Sequence, residues 1–241
     1  MLAQAQLRDF LSNVRLESDP VRVRNALLAF FPEMVTAYGD AAALLGADWY
    51  DMLRDAPPSV ARFEAVMARP APAEQAESAV RWAVGPLFAP EQDSIITVDR
   101  LFGSTQRLVL QPGRETVFES AAADSYRTGV ARVPQGVTCA FCTMLASRGP
   151  VYRSEVSSEL VVGRGSNRTG YDADGKRLAG GIGGGVKARG KQPLAERFHD
   201  NCDCTTVVIR TPDDYPEGYD PEKYLELYRS GSGIGRDEPT A

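Results

Sequence analysis

Two short clusters, TCAFC at residues 138–142 and FHDNCDC at residues 198–204, hold all four cysteines and the single histidine of this 241-residue chain. A Cys-x-x-Cys turn lets both sulfurs face one ion, so Cys139 and Cys142 can supply half of a tetrahedron. His199, Cys202 and Cys204 offer three more donors, and four of the five complete a site. Soft thiolates with one imidazole suit Zn2+ best. The other reading is unmetallated thiols or a disulfide between the two pairs. Either way the clusters act as a clip across a long segment, stabilising the fold by limiting the unfolded chain. A redox centre is disfavoured. Its Cys-x-x-Cys sits at a helix start within a thioredoxin-like βαβ pattern, which is not visible here.

The compartment bears on that choice. The N-terminal MLAQAQLRDF has no basic stretch leading into an apolar run, so no secretion signal is expected. Thiols made in a reducing compartment favour metal or free thiols over disulfides. ALLAFF (26–31) is among the longest apolar runs. It falls well short of the roughly 18 residues that a membrane span needs, and no membrane partner is expected. Hydrophobic residues at 43% and charged residues at 24% are ordinary for a chain with a core in one or two domains. A net charge of −5 excludes the whole molecule as a general nucleic-acid binder.

Residues 1–128 read as a helical region. Asp19-Pro20 has the form of an N-cap followed by Pro at the first helical position, opening VRVRNALLAFFPEMVTAY, with Gly39 placed to end it. ADWYDMLRDA runs into Pro57-Pro58, a firm stop. SVARFEAVMARP and AEQAESAVRWAVGPLF are amphipathic helix candidates, each closed by a nearby proline. DSIITVDRLFGSTQRLVLQ and GRETVFESAAADSYRTG complete the region, with ITV and LVL open to a strand reading. The apolar stripes are read as core, and no catalytic constellation stands out.

The character changes near residue 130. RVPQGVT reads as a short strand or loop, CAFCTMLASRG as a short helix ended by Gly149, and VYRSE, SELVVG and CTTVVIR as strands. The expected class is therefore α+β: a helical region, a small α/β module over 129–211 stapled by the Cys/His cluster, and a turn-rich, briefly helical tail over 212–241.

Within the module, residues 162–192 form a glycine-rich stretch without an apolar period, expected to be a long loop. It carries Arg164, Arg168, Lys176, Arg177, Lys187, Arg189 and Lys191 against Asp172 and Asp174, a local charge of +5 on an acidic chain. Such an arm can track phosphates or an acidic protein surface, or simply be a solvated loop. GVKARGKQ (185–192) fits Gly-x-x-x-x-Gly-Lys but ends in Gln192 where a P-loop needs Ser or Thr for Mg2+. DADG (172–175) lacks the later glutamate of a calcium loop and is read as a turn.

CAFC, a short helix, a glycine and VYRSE, then FHDNCDC leading into a strand, resemble the C-terminal module of the phage Mu F-like minor head proteins. Cys139, Cys142, His199, Cys202 and Cys204 fall on that family's pattern, and the resemblance covers roughly residues 120–210. Where the family carries prolines around the histidine, this chain has Arg197-Phe198 and Asp200. The resemblance implies a minor capsid protein of a tailed bacteriophage. It would act in head assembly, genome packaging or ejection, beside the portal and other capsid proteins and possibly packaged DNA. Its place would be the virion, or the host cytoplasm during assembly, and no residue would be catalytic. Two alternatives come from other classes: a capsid maturation protease and a host zinc-binding interaction protein. A Ser-His-Asp apparatus would have to use His199, which thiols crowd, and nothing marks an oxyanion hole.

Overall fold

The computed structural model describes residues 1–16, 18–126, 129–136, 138–150, 200–210 and 212–230. They are mostly helical with one two-stranded antiparallel sheet, an α+β protein. The helices are α1 (Leu2–Val14), α2 (Pro20–Arg54), α3 (Ala73–Ala83), α4 (Ser94–Ala123), α5 (Ala140–Ala146) and α6 (Pro221–Ser230). The strands are β1 (Gly129–Val133) and β2 (Thr205–Ile209). The expected strands VYRSE and SELVVG lie outside the described residues.

The chain divides into two compact units. The first comprises Met1–Asp48, Met67–Thr116 and residues 198–202. Its core is built by helical periodicity: Leu7 and Leu11 on α1, then Val23, Leu27 and Phe31 on α2, four apart and buried. Val80 of α3 and Leu101 and Leu108 of α4 join them. Phe10 stacks on Phe30 with ring centroids 3.9 Å apart. Asp19 does cap α2, its Oδ1 accepting the Val21 N–H at 3.1 Å. Asp93 starts α4 in the same way, accepting from Ile96 N–H at 2.8 Å.

Three local expectations are corrected. Gly39 does not end α2, which runs on to Arg54. A helical glycine loses only about 1 kcal/mol against alanine. Here its bare Cα is used, because a Cβ would lie 3.0 Å from Pro70 Cβ. ITV and LVL are not strands but turns of α4, which passes through Pro112. SVARFEAVMARP is not a helix. The Ala68 N–H bonds Thr116 Oγ1 and the Val66 N–H bonds Ser120 Oγ, each at 2.9 Å, so side-chain hydroxyls take the place of helical carbonyls.

The second unit comprises Trp49–Val66, Val117–Arg197 and Asp203–Ala241. β1 pairs with β2 in the register Gly129↔Ile209 to Val133↔Thr205. Ala131, Val133, Val207 and Ile209 pack with Ala146 of α5 and with Tyr219, whose hydroxyl donates to the Ala146 carbonyl at 2.8 Å. Gly149 follows α5 at φ 68°, the left-handed stop its sequence predicts. Asp220-Pro221 repeats the Asp-Pro start at α6, with Asp220 Oδ1 accepting from Glu222 N–H at 2.9 Å.

An ionic hub closes the end of α2. Asp124 accepts from Arg54 Nε at 2.5 Å, Tyr50 Oη at 3.0 Å and the Tyr126 N–H at 2.9 Å. Arg210 donates to the last carbonyls of α2, Leu53 and Arg54, satisfying groups a helix end leaves open. Burial pushes the Asp124 carboxyl upward, but the Arg54, Tyr126 and Tyr50 donors outweigh it and hold it below the ordinary carboxylate range.

Candidate metal centre

The second cysteine cluster sits just before β2, on a turn with Asn201 at φ 60°, a left-handed geometry asparagine tolerates. The first frames the start of α5. Cys139 is the N-cap, its sulfur accepting from the Cys142 N–H at 3.4 Å, which turns Cys142 inward on the first helical turn. The sulfurs of Cys142, Cys202 and Cys204 come together within 4.8 Å of one another. All three residues are buried, at 2%, 2% and 3% exposure. None of the four cysteines is joined in a disulfide.

This geometry fits a metal. Around Zn2+ with bonds of about 2.3 Å, tetrahedral sulfurs stand roughly 3.8 Å apart, within reach of small rotamer changes here. Three buried thiols form a soft donor set that can hold a metal ion. Burial pushes the Tyr224 phenol on α6 up, and the Cys204 sulfur pushes it further the same way.

Of the five donors predicted from sequence, three converge and Cys139 stands at the N-cap of α5. His199 lies outside the described residues, as do Arg164, Arg168, Lys176, Arg177, Lys187, Arg189 and Lys191. Sequence reasoning passed over the residues that seat the second cluster. Arg107 Nε donates to Asp200 Oδ1 at 2.7 Å, and Arg114 Nη2 donates to the Cys202 carbonyl at 2.7 Å. The available signal was two arginines seven apart on α4, on either side of the core residue Leu108.

The fold and site define an α+β protein that carries a buried group of three thiols beside a two-stranded sheet. The chain belongs to the family described as VG15 protein, which matches residues 1–231. It is similar to the Gene 15 protein of Mycobacterium phage D29, at 29% identity over 214 residues, 84% of this chain and 72% of that relative. No solved structure matches it. The comparison supports a bacteriophage origin. No helix among the described residues is long and apolar enough to cross a membrane.

Proposed function

We propose that the chain is a minor capsid protein of a tailed bacteriophage, associated with the portal and acting in head assembly, packaging or ejection. The carrying observation is the convergence of Cys142, Cys202 and Cys204 from two clusters whose order and flanks resemble the Mu F-like minor head module. Membership of the VG15 family and similarity to a mycobacteriophage protein support the same reading. The three cysteines would hold Zn2+, with Cys139 or His199 as the fourth donor, and the ion would supply a structural clip and no reaction step. Burial of these three thiols favours ligation over attack on a polypeptide, and so favours this reading over a capsid maturation protease.

In this reading the helices make the protein contacts and the +5 stretch over 162–192 meets the portal or packaged DNA. The test is association of the purified chain with the purified portal oligomer of the same phage, and with duplex DNA across a salt series. Portal association is expected to be the stronger signal, since a 31-residue stretch is a small footprint. Replacing Lys187, Arg189 and Lys191 with Ser should flatten the salt slope of any DNA binding. Absence of both associations in the intact chain removes the mechanism from this proposal.

A further inference from the structure

We infer that Gly103, Arg107 and Arg114 on α4 form a seat that holds Cys202 in place for ligation, with Arg107 and Arg114 acting as positioning residues. This rests on reading the thiol group as a metal site.

The three positions are four and seven residues apart, so they fall along one face of the helix. Residues 200–202 lie over that face, each end fixed by a charge-assisted bond. Arg107 Nε holds Asp200 Oδ1 at 2.7 Å, with side chains 7% and 26% exposed. Arg114 is buried, and its Nη2 holds the Cys202 carbonyl at 2.7 Å. Between them the backbone turns through the left-handed Asn201. Gly103 permits the approach, because a Cβ there would lie 2.9 Å from Asp200 Cβ and 3.5 Å from Asn201 Nδ2. A backbone carbonyl held by a buried guanidinium fixes where its own Cα–Cβ bond starts. A ligand preset this way loses less freedom when the ion binds.

The guanidinium has a second role. Three or four thiolates on one Zn2+ leave the centre with net negative charge, which is unfavourable in a buried site unless cations stand nearby. Arg114, bonded to the backbone of one ligand, is such a cation. It serves the centre as outer-shell partners do, and loss of such a partner commonly weakens metal affinity 10- to 100-fold.

The experiment uses the full reduced chain as wild type, Arg114→Met, Arg114→Lys and Arg107→Met. Zinc affinity is read by competition with a chromophoric chelator, and ligand number by the absorption bands of the cobalt(II) form. Arg114→Met should weaken zinc by about tenfold or more. It should keep the cobalt bands and the helical circular dichroism, and Arg114→Lys should recover most of the affinity. Folded Arg114→Met that binds zinc as wild type does would overturn the seat. If Arg114→Met does not fold, Arg107→Met carries the comparison: it should weaken zinc in the same way, and folded Arg107→Met that binds zinc as wild type does would overturn the seat. If the wild type takes up no zinc, the metal reading fails, and the seat is read from the alkylation rate of Cys202 in the metal-free chain. That rate should rise in Arg114→Met and Arg107→Met and fall back in Arg114→Lys, and equal rates in folded proteins would overturn the inference.

Discussion

The backbones of Gly46 on α2 and Gly113 on α4 meet directly. A Cβ on Gly46 would lie 2.5 Å from the Gly113 carbonyl oxygen, and one on Gly113 would lie 2.6 Å from the Ala42 carbonyl oxygen. Neither neighbour is the end of a flexible side chain, so neither can move aside cheaply. Glycine to alanine in a helix ordinarily gains about 1 kcal/mol. Here Gly46→Ala and Gly113→Ala should each reverse that sign and destabilise by about 1–3 kcal/mol, the range for overpacking a core. Denaturant unfolding checks it, with a loss of midpoint in both variants as the expected result.

The second prediction concerns acid. Because Asp124 has its folded pKa held below the unfolded one, its contribution is fully present above the unfolded value of about 3.9. It fades as pH falls through the lower folded value. Asp124→Asn keeps the shape but loses the charge that Arg54 and Tyr126 N–H bind. The variant should melt several degrees below wild type at pH 7, with the gap narrowing as pH drops below about 4. Thermal melts of both proteins from pH 7 to pH 2 measure the gap, and a constant difference would assign the loss to packing alone.

The third prediction is stoichiometric. The chain purified under reducing conditions should carry about one zinc, read by elemental analysis after desalting. Cys142→Ser and Cys202→Ser should each lose it. A strong chelator should lower the melting temperature of the wild type and leave the serine variants unchanged, since metal bound only by the folded state stabilises by mass action.

What was legible in the sequence was local. Asp19-Pro20 and Gly149 announced a helix start and a helix stop because one residue's backbone preference decides each. CTTVVIR read correctly as a strand because its β-branched run has few other uses. The thiol pairs announced themselves by spacing, although which of them converge did not. The failures came from partners distant in sequence. SVARFEAVMARP has a helical pattern, but Thr116 and Ser120 supply its N–H acceptors from about fifty residues away. Gly39 looked like punctuation because its reason, the close approach of Pro70, is tertiary. Arg107 and Arg114 were hidden for the same reason. An arginine on a helix reads as solvated until the chain that covers it is known.

The claim that this is a minor head protein is tested most directly by quantitative mass spectrometry. The samples are purified proheads and mature virions of the phage that encodes it, both treated with nuclease and washed at high salt. The account predicts tryptic peptides of this chain at a few copies per particle, comparable with the portal and far below the major capsid protein. Its absence from both particles, in preparations where the portal is readily detected, would contradict the account.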